Sequence, residues 1–526
     1  MPSAESSVVP VLAPHEVDAS VAKPRCLGCV RALVVLDVLL VFAVFLAFAG
    51  RPVPDTNEAH YLTKAKHFWE PRWILGDQFL DSADSHVVFY STFGALTKYV
   101  SLERAAWISR LAIWLLTAIG WRRLSQNFAP GFGWAALTAG AALALNTNLH
   151  MSGEWFVGGS EAKGVAYACV FWGLADITAG RWNRGFIALG IASAFHVLVG
   201  GWSVAASLFI LLGDRNHRPA ARHCLWGLLA GGAIALAGVV PGLLLGRGVE
   251  PEAAAIANRV YVFERLSHHL WAVAFFTRFG ARQLALWGVW GFICGASPAE
   301  GPQRRLRWFT LASILVATAG LGISYASPQP TDWAAALLKF YWFRLADVAV
   351  AVAVSLELAT LAVALARSPI VRYGLIALFV GATGWTATEW TRFPADGVPR
   401  GEMAIDGPTL PYWVDICGWI DRELPADAVV LAPRVYTTFK WHARRAEFAN
   451  WKDIPQDAQA LVEWQTRLQD LYDVDGRWVN WMPHQRIDEV CRKYGLTHIV
   501  TYLEPTLPYP IVYQNDVYCV YRVEQP

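Results

Sequence analysis

Apolar residues in this chain come in helix-length blocks separated by short polar punctuation. Runs near 31–50, 104–121, 132–148, 161–179, 185–212, 224–246, 281–297, 308–326, 340–366 and 370–388 carry few charges. A helix rises about 1.5 Å per residue, so about 20 such residues cover the ~30 Å hydrocarbon core of a bilayer. The blocks therefore predict membrane-spanning helices. The run at 185–212 contains Gly200-Gly201 shortly after His196 and reads as two short helices meeting near 196–202.

Composition settles the class. Apolar residues make up 55% of the 526 and charged residues 16%, against about 25% in ordinary soluble proteins, too little polar surface to cover so many helices. The chain reads as an all-α polytopic membrane protein. Lys and Arg concentrate before the first run (Lys23, Arg25, Arg31), then at Arg122-Arg123, Arg181 and Arg184, 215–222, Arg304-Arg305-Arg307, and Arg367 with Arg372. Short basic loops stay in the cytoplasm, which predicts a cytoplasmic N-terminus, about eleven crossings and an external C-terminal tail. The outer face then collects four polar stretches, 51–103, 148–160, 246–280 and 327–336. A bacterial cytoplasmic (inner) membrane fits this layout, and nothing points to nucleic acid.

Three regions follow. Residues 1–30 are polar and Pro/Ser/Ala-rich, without the order of a signal peptide, and read as a disordered cytoplasmic leader. Residues 31–393 form the transmembrane domain. From 394 to 526 charge density becomes ordinary and acidic. Helices are expected at 412–423, 457–473 and 483–493, with strands at 428–432, 497–502, 511–514 and 517–523. This is an extracytoplasmic α/β domain.

Candidate chemistry concentrates in the first outer loop. It reads Pro54-Asp55-Thr56-Asn57-Glu58-Ala59-His60-Tyr61, then Asp77, Asp81, Asp84, Ser85 and His86. Ionisable groups held at a bilayer surface cost solvation energy and need a function or a partner. Asn57-Glu58-Ala59-His60-Tyr61 resembles the acidic first-loop signature of fold-C glycosyltransferases, the superfamily of the protein O-mannosyltransferases and the lipid A aminoarabinose transferase. Glu58, His60 and Tyr61 fit the signature, while Asn57 stands where that superfamily has its catalytic Asp. Ser85-His86-Val87-Val88-Phe89-Tyr90 is similar to its His/Lys-Pro-Pro-Leu-Tyr-Tyr stretch without the prolines, and there it opens a surface helix, here 87–100. Ser160-Glu161-Ala162-Lys163 occupies the place of the acid opening the fourth span. Phe195-His196-Val197-Leu198-Val199-Gly200 occupies that of a turn between two short helices. The resemblance implies a polyprenyl-phosphate-linked sugar donor and a glycan, lipid or protein acceptor.

The residues support the same chemistry directly. Sugar transfer to a hydroxyl needs a carboxylate base, for which Glu58 is the first candidate and Asp55 the second. A leaving lipid phosphate needs positive charge, which Arg344 supplies as a fork of donors, with Asp347 one turn on to orient it. Asn57, His60, His86, Glu161, Lys163 and His196 complete the expected substrate-binding set. Asp55, Glu58, Asp81 and Asp84 are hard oxygen ligands that suit a divalent cation, though no spacing demands one.

Plainer readings stand beside these. The loop acids can be solvated, Asp81 and Asp84 can be loop and cap residues, and Glu161 with Lys163 can simply open a helix. His196 and the Arg344–Asp347 pair can be structural contacts within the bundle. In the tail Arg434, Arg444, Lys452, Trp464 and Arg467 read as a solvated face. A membrane glycosyltransferase leads. A non-catalytic envelope scaffold on the same fold, kept open by Asn57, and a polytopic transporter are the alternatives.

Overall fold

The computed structural model describes residues 27–214, 219–365, 368–388, 398–472 and 479–523. The expected leader lies mostly outside them, as do Lys23, Arg25, Arg367 and the 393/394 boundary. Helix α1 (Leu27–Ala49) starts four residues before the expected run. The next segment, 50–101, holds α2 (Glu58–Trp69), α3 (Gln78–Asp81), α4 (Val87–Ser91) and a 3-10 turn at Phe93–Lys98. Then come α5 (Leu102–Ser125), α6 (Trp134–Leu149), α7 (Ala162–Thr178), α8 (Trp182–Phe195), α9 (Val197–Gly213) and α10 (Leu225–Leu244). After the short α11 (Pro251–Arg259) and α12 (Ser267–Leu270) follow α13 (Ala272–Ala296), α14 (Gly301–Ala326), α15 (Asp332–Leu338), α16 (Arg344–Ala364) and α17 (Pro369–Thr388).

Each apolar run is a helix. Five of these helices (α1, α10, α14, α16 and α17) are long and apolar enough to cross a membrane by themselves. The 185–212 run divides as expected, but the break falls at His196, the single residue between α8 and α9, and not at Gly200-Gly201. Those glycines continue α9, where Gly200 lies so close to the backbone of Ser193 that a Cβ would sit 2.1 Å from its nitrogen. Helix α13 begins nine residues earlier than its run, because it continues through Phe275, Phe276 and Phe279 into the interior.

Helix packing relies on small residues, as expected where lipid removes the hydrophobic drive between helices. A Cβ on Gly190 of α8 would lie 2.2 Å from the Gly231 carbonyl of α10, and one on Gly231 would lie 2.3 Å from the Phe186 carbonyl. Arginines gather at one end of the bundle on buried acids. Arg122 meets Asp37 at 3.0 Å, Arg123 meets Asp176 at 2.7 Å, Arg304 meets Asp214 at 3.1 Å and Arg307 meets Glu357 at 2.7 Å. These are the basic residues that the sequence assigns to inner loops.

The C-terminal part is a mixed sheet with helices. Its elements are α18 (Leu410–Glu423), β1 (Val429–Leu431), α19 (Phe439–Ala443), β2 (Ala446–Glu447), α20 (Ala458–Leu471), α21 (His484–Tyr494), β3 (His498–Tyr502), β4 (Ile511–Gln514) and β5 (Tyr518–Arg522). The strand order is β2-β1-β3-β5-β4, with β1 parallel to β2 and β3 and the remaining pairs antiparallel. Val430 pairs with both Glu447 and His498. The expected strands and three longer helices are all present; α19 and β2 are additional, and both are too short for a periodic signal. Trp413 and Tyr436 fill one face of the sheet, and Trp464 and Phe448 fill the other. Trp464 is therefore core and not part of a solvated face. Ala257 and Val260, from the segment between α10 and α13, join that second core, so the sheet is packed onto the helical part.

Candidate active site

The turn Asp55–Glu58 starts α2, and Glu58 is completely buried there. Its two oxygens take Arg110 Nε and Nη2, each at 2.5 Å. They also accept the backbone N–H groups of Asp55 and Ser160, both at 2.7 Å. Four donors on one carboxylate leave no lone pair aimed at a substrate. Through these bonds Glu58 knots the first loop to α5 and to the turn before α7. Gly159 makes this approach feasible, since a Cβ there would lie 2.8 Å from that of Asp55 and 3.0 Å from Glu58. Asp55 Oδ1 accepts from its neighbour Thr56 (2.7 Å), and Oδ2 has no hydrogen bond among the described residues.

A second polar cluster forms alongside, where α7, α9 and α16 begin. Asn57 donates its amide to Glu161 Oε2 at 2.7 Å. The Lys163 ammonium lies 3.6 Å from both Glu161 and Glu154 and 3.8 Å above the Trp155 ring. Arg344 Nε is 2.9 Å from Glu154 Oε2, Nη1 donates to His196 Nε2 at 3.0 Å, and the guanidinium lies 3.8 Å above the Tyr341 ring. The His196 ring is 5.6 Å from that of His86, whose Nδ1 bonds Asp84 (2.9 Å) and whose Nε2 faces the Tyr61 hydroxyl (3.4 Å).

Several polar atoms at the heart of this cluster are buried yet have no hydrogen bond among the described residues. They include Glu154 Oε1, Glu161 Oε1, Arg344 Nε and the Tyr167 hydroxyl; the Arg344–Glu154 contact is close but not aligned as a hydrogen bond. Buried polar groups are nearly always paired, so these atoms set the cluster apart from the fully bonded Glu58.

Asp347 departs from its expected role. Its carboxylate accepts the N–H groups of Met151 (3.0 Å), Ser152 (3.0 Å) and Glu154 (3.2 Å) and the Ser152 hydroxyl (2.8 Å). It shapes the turn that presents Glu154, and Glu154 is the residue that meets Arg344. Asp81 pairs with His67 at 2.9 Å. Among the described residues no group of three His, Cys, Asp or Glu side chains is arranged to hold a metal ion.

The α/β part reaches into the site. Asp453 bonds His60 Nδ1 at 2.9 Å and Lys440 at 2.7 Å. Burial pushes the His60 imidazole down; it also works against the Asp453 carboxylate, which Lys440 and His60 nonetheless hold below the usual range. Gln456 accepts from Ser85 N–H (3.1 Å) and hydroxyl (2.6 Å), and Asp457 accepts from Ala83 N–H (3.1 Å).

Sequence reasoning missed Arg110, Glu154, Asp453 and Gln456. Arg110 was detectable as a charge well inside an apolar run. The other three carried no signal, because each gains its meaning from a partner far along the chain.

Comparison with known proteins bears on the fold. A family model described as Domain of unknown function (DUF6798) matches residues 411–471, from α18 to α20. No curated protein matches the sequence. The crystal structure of ArnT from Cupriavidus metallidurans, bound to undecaprenyl phosphate, superposes with a TM-score of 0.51 at 14% identity, covering 94% of this chain and 98% of that one. The Archaeoglobus fulgidus oligosaccharyltransferase, in complex with zinc and sulfate, gives a TM-score of 0.45 at 14% identity over 90% of this chain and 68% of that one. The chain thus shares the fold of ArnT over nearly its whole length, helical part and C-terminal sheet together.

Proposed function

We propose that this protein transfers a sugar from a polyprenyl-phosphate donor to a glycan, lipid or protein acceptor on the outer face of the cytoplasmic membrane. In this reading eleven helices cross, the arginine-rich end is cytoplasmic and the α/β domain is external. One observation carries it: Arg344, Lys163 and His196 converge with under-bonded carboxylates at the end of the bundle covered by the α/β part, in a chain with the fold of a protein seen holding undecaprenyl phosphate.

The acceptor hydroxyl attacks the anomeric carbon, the carbon–oxygen bond to phosphate breaks, and polyprenyl phosphate leaves. Arg344 and Lys163 stabilise the charge that develops on the phosphate oxygens. The hydroxyl proton goes to a carboxylate. Glu161 is placed for this, with Oε2 held by Asn57 and Oε1 without a hydrogen bond. Asn57 thus orients a base where the superfamily signature has its own acid. Asp55, through Oδ2, is the second candidate, and His86 and His60 frame the site from the first loop.

The test compares wild type, Glu161→Gln, Asp55→Asn and Glu58→Gln on a panel of polyprenyl-phosphate sugars, scoring binding and turnover separately. Glu161→Gln is expected to keep lipid binding and lose about 10²–10⁴-fold in turnover. Lipid binding by wild type without turnover of any donor would favour the scaffold reading that Asn57 keeps open. No binding of any polyprenyl phosphate would end the donor-lipid reading.

A further inference from the structure

A cavity of about 460 Å³ opens between the far end of α2, the start of α5 and the α/β part. Helix α2 runs from Glu58 to Trp69, so at about 1.5 Å per residue Lys66, in the cavity wall, stands about 12 Å along the axis from Glu58. The volume is that of a small-molecule site, for which about 300–1,000 Å³ is usual. Its walls come from distant parts of the sequence and are firmly joined. Trp441 of α19 is 3% exposed and packs in one apolar cluster with Leu62 and Leu102, which keys the α/β part into the first loop. Arg445 secures the end of α18 by donating to the carbonyls of Asp421 (2.8 Å), Leu424 (2.6 Å) and Pro425 (2.8 Å).

Two residues of the lining hold a backbone conformation that side chains avoid. Ile74 has φ +59° and Arg444 has φ +49°. For a β-branched residue this left-handed geometry is an outlier. Such strain persists only where the surrounding structure imposes it, and it gathers at ligand sites. Among the described residues one other non-glycine residue adopts it, Tyr341, whose ring lies beneath Arg344 in the polar cluster.

The charges of the lining nearly cancel. Lys66 lies 3.1 Å from Glu70, and Arg444 and Arg445 each lie 3.4 Å from Asp421. Arg72 and Glu103 add one charge of each sign. This balance gives an anion little advantage. Each ion pair instead sets donors beside acceptors, which suits the adjacent hydroxyls of a sugar, since a hydroxyl both donates and accepts. Glu70 and Arg444 are 42% and 57% exposed and so within reach of a ligand. Trp73, half-buried in the same wall, offers an apolar ring for the C–H face of a pyranose. We propose that this cavity binds a short neutral oligosaccharide. The site is separate from the polar cluster and does not rest on the polyprenyl-phosphate reading.

The experiment measures calorimetric binding of maltotriose and of N-acetylchitotriose to the full chain, in a detergent whose headgroup is not a sugar. Glycerol phosphate is a third arm, standing for an anionic lipid headgroup. Wild type is compared with Trp73→Leu, Arg444→Gly and Glu70→Ala. Arg444→Gly removes the guanidinium and gives the left-handed position the residue that suits it, so its fold is not at risk. Wild type is expected to bind at least one of the two trisaccharides. Trp73→Leu and Arg444→Gly are expected to bind it at least about fivefold more weakly, and Glu70→Ala about two- to fivefold more weakly. Binding by Arg444→Gly and Trp73→Leu equal to wild type overturns the proposal, as does wild type that binds neither trisaccharide. Glycerol phosphate bound more tightly than the sugars, and more tightly still by Glu70→Ala, reassigns the cavity to an anion and overturns it too. The donor-lipid reading stands or falls separately, on the polyprenyl-phosphate panel.

Discussion

Two buried clusters of acids and bases lie side by side in this protein, and they are built oppositely. In the Glu58–Arg110 knot every carboxylate oxygen is taken, by two guanidinium N–H groups and two backbone N–H groups. In the Glu154–Glu161–Lys163–Arg344 cluster the ion pairs are longer or misaligned, and several buried polar atoms have no hydrogen bond among the described residues. A satisfied network fixes geometry, whereas an under-bonded one keeps its capacity for a ligand. Glu58 thus holds the first loop in place, while the cluster beside it keeps unused hydrogen-bonding capacity.

The sharpest way to break this contrast is to remove Glu58. Glu58→Ala leaves Arg110 buried and unpaired, and truncating one partner of such a pair costs about 3–5 kcal/mol. Thermal unfolding in detergent should fall accordingly; wild-type stability with activity alone lost would return Glu58 to the role of base. Arg344→Met is expected to do the reverse, leaving unfolding nearly unchanged while turnover drops by about 10²–10³, as for loss of one positioned charge stabiliser. Unfolding shifted as far as in Glu58→Ala would erase the distinction between the clusters.

Two smaller effects refine it. Asp453→Asn weakens the bond to His60 that seats the α/β part on the first loop, and the one to Lys440 within that part, and should cost about 1–3 kcal/mol. Faster proteolysis of the 447–457 segment would register that loss, and an unchanged cleavage rate would show the seat is made elsewhere. Gly159→Ala forces a Cβ against Asp55 and Glu58, an overpacking expected to cost about 1–3 kcal/mol at the knot. Turnover should fall less than stability, since the alanine touches neither Lys163 nor Arg344.

Much of the architecture was legible because it is local. Helix-length apolar runs need no distant partner to be recognised, and neither do strands bounded by turns in the α/β part. The break at His196 was visible to within a few residues. Site residues were legible as a neighbourhood: Asn57, His86, Glu161, Lys163, His196 and Arg344 do come together. Their pairing was not. Spacing along α16 put Asp347 beside Arg344, but the carboxylate turns to the 151–154 backbone and Glu154 takes its place.

By itself the sequence determined a membrane-embedded helical chain, its α/β appendage and the ionisable residues that gather at one end of the bundle. Tertiary structure alone decided which carboxylate is spent on holding the fold and which remains available. Hydrophobic length is a property of consecutive residues, whereas an ion pair is a choice among chemically equal partners. Glu58 and Arg110 stand 52 positions apart, and only packing makes that choice.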